Sequence, residues 1–188
     1  WYNMPVRRCE NAEHEPIRIS VKIGEATVVA QIWEVRIGRI SLYLLDTNID
    51  ENSPENKTIT ATLYGGNKET RIRQEILLGI GGIRALRALG ISPGVTHMNE
   101  GHSAFLGIER IREYVTSHGM SFKEAIQAIW PTNVFTTHTP VPAGNERFSV
   151  ELMQKYYSCI TEGIDIPWHD FMALGRENPD EHQEHFSK

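Results

Sequence analysis

From Ile17 to Ile23 the chain alternates Ile, Ile, Val and Ile with Arg, Ser and Lys, and this period of two predicts a strand with one buried face. Gly24-Glu25 gives a tight turn into a second β-rich run, Ala26–Ile37, and Gly38 divides that run from a third over Arg39–Leu45. Three strands with short turns predict a meander, so residues 1–45 read as a β-rich subregion. Trp1–Pro16, polar and with two prolines, reads as a leading loop. After Leu45 the pattern changes. Asp46–Thr58 is turn chemistry, with Pro54 blocking strand or helix, and reads as a loop facing solvent or a ligand. Ile59–Tyr64 is a short helix-prone piece ended by Gly65-Gly66-Asn67. From Glu69 to Leu89 the positions Ile72, Ile76, Leu77, Ile80, Ile83, Leu86 and Leu89 recur at three- and four-residue steps, the stripe of one long amphipathic helix. Gly79, Gly81 and Gly82 lie inside it. Each costs up to ~1 kcal/mol relative to alanine there, so they predict a neighbouring backbone at close range rather than a dinucleotide-binding turn.

Beyond Gly90 and the turn Ser92-Pro93-Gly94, the period switches back and forth. Val95–Met98 reads as a strand and Gly101–Ser117 as a helix with Phe105, Ile108, Ile111 and Val115 on its core stripe. Phe122–Ile129 reads as a second helix, since Ser121 and Glu124 have capping-box spacing, and Pro131–Thr137 as another strand. Strand, helix and strand in alternation predict a parallel sheet with crossover helices, a Rossmann-like α/β core over residues 46–188. Ser149 caps a short helix, Val150–Tyr157, and Pro167–Leu174 forms another. Arg176–Lys188, charged and without a core stripe, reads as a loop.

Composition narrows the function classes. The chain has 188 residues, 40% hydrophobic and 23% charged, which suits a soluble globular domain with a real core. A net charge of −5 with scattered Lys and Arg leaves no footprint for nucleic acid. No apolar run approaches the ~18 residues of a membrane span. Cys9 and Cys159 are too few for a disulfide framework and fit a reducing compartment, the cytoplasm. The start at Trp1-Tyr2, without Met, and the polar end read as cuts in a longer chain.

Two elbows carry the candidate chemistry: VTHMNEGHSAF over Val95–Phe105 and VFTTHTPVPAGNERF over Val134–Phe148. Each begins as a β-branched apolar run and ends in His, Thr, Asn or Glu. In open α/β sheets ligands sit beyond the carboxyl ends of the strands, so His97, Asn99, Glu100, His102, Thr137, His138 and Thr139 are expected to converge on one ligand. Pro140 and Pro142 then fix the following backbone. Three histidines could instead suggest zinc, but no helical pair at four-residue spacing supports it, and any one of them could equally serve packing or capping.

The same elbows carry a resemblance. HMNEGHSAFL and, further on, FTTHTPVPAGNERF are similar to the amino-terminal domain of the α-glucan phosphorylases, in their shorter bacterial and archaeal form. LYLLDTNIDENSP and LYGGNKETRIRQEILLGIGGIRAL, within Leu42–Leu86, and ALGRENPD at Ala173–Asp180 resemble the family in the same order. The resemblance implies one domain of a two-domain glycosyltransferase B architecture. It implies transfer of the terminal glucosyl residue of an α-1,4-glucan or maltodextrin to inorganic phosphate, giving glucose 1-phosphate with retention. His138 matches the histidine that contacts the transferred glucosyl unit through its ring and carbonyl. Glu100 and His102 match pocket residues, and Asn99 and Thr139 are expected to bind substrate beside them. The family has Asp at the position of Glu100 and Thr-His-Pro at Gly101-His102-Ser103, so the pocket edge differs, and YGGNK over Tyr64–Lys68 is shorter than the gating loop of the animal enzymes.

The resemblance also implies pyridoxal phosphate, bound to a lysine of a carboxyl-terminal domain that this chain lacks, and hence an inactive fragment. Oligomeric state stays open. Two alternatives stand beside it: a retaining sugar-nucleotide glycosyltransferase of the glycogen synthase kind, and a non-catalytic carbohydrate-binding module. The module would need an exposed aromatic platform, whereas Trp1, Trp33, Trp130 and Trp168 are dispersed.

Overall fold

The period-two run becomes strand β2 (Arg18–Ile23), with Ile19, Val21 and Ile23 inward, in the computed structural model, which describes residues 5–62, 66–138 and 147–187. β3 (Ala26–Ile37) and β4 (Ile40–Asp46) complete the antiparallel meander. Gln31 pairs with Arg18 of β2 and with Asp46 of β4, so these strands flank β3 on opposite edges. The leading segment is not all loop: β1 (Val6–Arg8) pairs Val6 with Val35 and Arg8 with Trp33, end to end with β2. Three residues are too short to show a period. Their place is set by long-range backbone pairing that continues at Cys9, whose N–H donates to Ile32 O at 2.8 Å.

The Asp46–Thr58 loop is mostly exposed, as expected, but Thr47, Ile49, Asn52 and Asn56 within it are buried. Asn52 is enclosed and accepts from Val29 N (2.9 Å) while donating to Val29 O and Thr47 O (both 2.7 Å). Its amide thus stands in for a strand beside β3 beyond the end of β4. Pro54 starts a short helix, α1 (Pro54–Lys57), rather than blocking one, since a first-turn N–H has no helical partner to lose and Ser53 caps Asn56 N. Residues 59–62 are turn, not the expected helix.

The long amphipathic stripe folds as α2 (Lys68–Ile76), a π-helical turn over Leu77–Gly81, and α3 (Gly82–Ala88), running without a break. A Cβ on Gly79 would lie 2.7 Å from Leu106 N and 2.9 Å from Phe105 C, and one on Gly81 3.2 Å from Val21, whereas Gly82 faces open space. Close approach therefore explains two of the three glycines. Gly79→Ala is expected to destabilise by ~1–3 kcal/mol, because rigid backbone cannot yield to the new methyl. Gly82→Ala should instead stabilise by up to ~1 kcal/mol through helix propensity. Urea unfolding of the two variants checks both signs.

β5 (Thr96–Asn99) leads through a 3₁₀ turn, Gly101–Ser103, into α4 (Leu106–His118), then α5 (Phe122–Ile129), a second 3₁₀ turn (Trp130–Thr132) and β6 (Asn133–Thr136). The Ser121–Glu124 capping box is formed in both directions. β5 and β6 are parallel neighbours, Thr96 opposite Asn133 and Asn99 opposite Thr136. The architecture is mixed α/β. Among the described residues its parallel sheet holds these two strands, with Val134 and Phe135 45% and 46% exposed.

The tail is the largest correction. After β7 (Arg147–Phe148), α6 (Val150–Ile160) and α7 (Trp168–Ala173), the charged segment returns as β8 (Phe186–Ser187), antiparallel to β7. Phe186 is buried in the core, stacked on Phe171 with ring centroids 5.5 Å apart and facing Phe105 at 6.4 Å. Arg176 bridges the return by donating to Glu184 O (3.1 Å) and His182 O (2.9 Å). A single apolar core joins β2, β3, α2, α4, α6 and α7. Half-buried Arg112 ties α4 to the end of α6 through Ile160 O and Glu162 O (both 2.6 Å), and desolvation pushes its guanidinium down to about 10. No helix among the described residues is long and apolar enough to cross a membrane.

Candidate functional site

The candidate site lies where β5 and β6 end together. At the amino ends, buried Arg110 of α4 donates to Thr96 Oγ1 (2.9 Å), Thr132 O (3.2 Å) and Thr132 Oγ1 (2.7 Å), and to Asn133 Oδ1. These neutral acceptors clamp both strands to one helix. Burial holds the Arg110 guanidinium below the ordinary arginine range.

At the carboxyl ends Glu100 continues the pairing. Its N–H donates to Thr136 O (2.9 Å), and its carboxylate Oε1 accepts from His138 N at 2.6 Å. Glu100 is buried and adopts φ 61°, ψ −173°, a conformation that a non-glycine residue holds only when its surroundings over-determine it. The strained turn aims the carboxylate across to β6. The outcome is a latch on the backbone at His138, made with a charge-assisted hydrogen bond. On the exposed side, His138 Nε2 bonds Asn99 Oδ1. An amide oxygen only accepts, so Nε2 carries the proton.

Of the seven residues expected to converge, Asn99, Glu100 and His138 form one bonded group. His97 lies two residues before Asn99 on β5, its Nε2 2.6 Å from Thr136 Oγ1, and Thr137 is exposed between Thr136 and His138. Thr139, with Pro140 and Pro142, lies outside the described residues, as does the Tyr64-Gly65 part of the YGGNK loop. His102, half-buried in the 3₁₀ turn, is held from α2. Arg71 Nη2 lies 3.1 Å from its Nδ1, and Glu75 Oε1 is 3.3 Å from Arg71 Nη2 and 3.8 Å from the ring. Among the described residues no group of three His, Cys, Asp or Glu is placed to hold a metal.

Arg71, Glu75 and Arg110 are additions to the residues read from the sequence. Glu75 did carry a signal: it falls on the buried stripe, between fully buried Ile72 and Ile76, where a lone carboxylate is costly. Asp46, at the end of β4, proves to be an anchor, accepting from Gln31 Nε2 (2.9 Å) and Trp33 Nε1 (3.0 Å).

No family model matches the chain. Among curated proteins it is 45% identical over 174 residues to a maltodextrin phosphorylase of Thermococcus litoralis, covering 93% of this chain and 21% of that protein. It is 48% identical over 159 residues to a glycogen phosphorylase of Mycobacterium tuberculosis, covering 81% of this chain and 18% of that protein. A glycogen phosphorylase of Aquifex aeolicus is 32% identical over 184 residues, covering 98% and 26% respectively. The chain thus spans between 18% and 26% of the length of these relatives.

Proposed function

We propose that this chain, a homologue of maltodextrin and glycogen phosphorylases over a segment of their length, supplies the glucosyl-binding wall of an α-1,4-glucan phosphorylase. The observation that carries the reading is the latch from Glu100 to His138, at the strand ends where α/β sheets take their ligands. Transfer of a terminal glucosyl residue to phosphate passes through an oxocarbenium-like state. A carbonyl dipole stabilises that charge best when it is already oriented, and the latch fixes the peptide plane that carries His138 N–H, the plane next to that of the His138 carbonyl. With Nε2–H given to Asn99, the ring retains Nδ1 as an acceptor for a sugar hydroxyl. Thr139 is the further substrate-binding residue that the family resemblance implies. The names of the relatives favour phosphorolysis over a sugar-nucleotide donor or a non-catalytic module.

In this reading β5 and β6 belong to a larger parallel sheet of the two-domain glycosyltransferase B kind, and exposed Val95, Val134 and Phe135 are faces that further chain covers. The pyridoxal phosphate that the family resemblance implies supplies a phosphate group that assists proton transfer when bound. The described lysines do not fit a Schiff-base site. Lys22, Lys57 and Lys155 are ion-paired with Glu162, Asp50 and Glu69, Lys68 donates to Arg147 O, and Lys123 is exposed. This reading therefore places the Schiff-base lysine outside the described residues. The isolated chain is expected to gain no mass after incubation with pyridoxal phosphate, borohydride reduction and intact-mass measurement; a specific pyridoxal adduct would contradict this.

The test of function is incubation of the full protein that carries this chain with maltoheptaose and inorganic phosphate. Release of glucose 1-phosphate is expected. Release of free glucose alone, or transfer that requires a sugar nucleotide, would overturn the reading.

A further inference from the structure

We propose that Arg71 and Glu75 are positioning residues that hold His102 as the neutral tautomer with its proton on Nε2, making the ring a hydrogen-bond donor in this site. A guanidinium carries five N–H donors and no acceptor, and it stays charged. The 3.1 Å contact between Arg71 Nη2 and His102 Nδ1 is therefore a hydrogen bond only if Nδ1 offers its lone pair. A protonated ring would instead set two cationic N–H groups against each other at that distance. Glu75 determines which arrangement holds. Its Oε1 lies 3.3 Å from Arg71 Nη2 and 3.8 Å from His102 Nδ1, so the carboxylate engages the guanidinium rather than the ring.

The order of burial supports this chain of command. The side chains are 3% exposed at Glu75, 12% at Arg71 and 30% at His102, running from the core stripe of α2 outward to the site. Glu75 and Arg71 are four residues apart on one helical face, and the helix that carries them is fixed by Ile72 and Ile76, both fully buried. Rotation of Arg71 away from Glu75 would leave an enclosed carboxylate without its guanidinium, which is costly. The ring is thus oriented by a rigid element, and Nε2–H is its only donor. Such a donor recognises an acceptor oxygen, a sugar hydroxyl or a phosphate oxygen. The nature of that ligand rests on the proposed function, whereas the tautomer does not.

The experiment is a long-range ¹H–¹⁵N correlation spectrum of the histidine rings in the uniformly ¹⁵N-labelled chain, with His102 assigned by the resonances lost in His102→Gln. Nδ1 is expected in the range of a bare acceptor nitrogen and Nε2 in that of a protonated one. In Arg71→Met, with a dispersed amide spectrum confirming the fold, the two nitrogens should shift toward tautomer-averaged values. Arg71→Lys, which keeps a donor, should retain the wild-type pattern. A wild-type ring protonated on Nδ1, or a folded Arg71→Met variant with an unchanged ring, would overturn the proposal. If Arg71→Met does not fold, the wild-type spectrum alone decides. A protein that shows the expected tautomer yet releases no glucose 1-phosphate would refute the function and leave this inference standing.

Discussion

Replacing His138 by alanine in the full protein that carries this chain is expected to lower kcat ~10²–10³-fold while changing the KM for maltoheptaose far less. The asymmetry follows from when the contacts matter. Glu100 already holds His138 N, and Asn99 already holds Nε2, so the group is oriented before substrate arrives. Preorganised dipoles act most strongly on charge that develops in the transition state, and such interactions raise kcat rather than tighten ground-state binding. Glu100→Ala should move kcat in the same direction, since it frees the His138 amide without touching the imidazole. Glu100→Gln should lose less, because a side-chain amide oxygen can still accept from that N–H. Steady-state phosphorolysis with maltoheptaose varied at saturating phosphate separates the two constants. An unchanged kcat in His138→Ala would make that residue structural.

Phe186→Ala is expected to destabilise the chain by ~3–5 kcal/mol, the range for removing a buried aromatic ring and leaving a cavity. Phe186 comes from the charged tail, but the residue is only 6% exposed and its ring lies by those of Phe171 and Phe105. Phe105 immediately precedes α4 and packs against Gly79, so the cavity would open beneath the turn that carries His102. The control is Phe135→Ala. That residue is 46% exposed on β6, and loss of its ring should cost under ~1 kcal/mol. Equal urea midpoints for the two variants would show that the tail does not close the core.

The contrast between these phenylalanines marks what the sequence could convey. Strong periods were legible: Ile19, Val21 and Ile23 inward on β2, the apolar stripe through Ile72, Ile76 and Ile80, and the capping box at Ser121 and Glu124. The two elbows were legible as well, because each is a local change from apolar strand to polar turn, and parallel pairing brings their ends together. Elements fixed by distant partners were not. β1 and β8 are two- or three-residue strands whose pairing lies far along the chain, and no local pattern announces them. Asn52 looked like loop chemistry because an amide serving as a stand-in strand has the same composition as a solvated turn. Arg71, Glu75 and Arg110 were hidden within helices read only for their apolar faces, although a carboxylate on the buried stripe at Glu75 was there to be noticed.

Titration of the ¹⁵N-labelled chain with maltoheptaose, with β-linked cellotetraose as control, tests the placement of the glucosyl site most directly. One wall of a cleft should bind only in the millimolar range, roughly 4 kcal/mol. The shifting amides should cluster at Asn99–His102 and Thr137–His138, with β1–β4 unchanged and cellotetraose inert. Shifts centred instead on the groove lined by Arg8, Arg18, Gln31 and Asn48, or equal responses to the two glucans, would contradict a glucosyl site at the ends of β5 and β6.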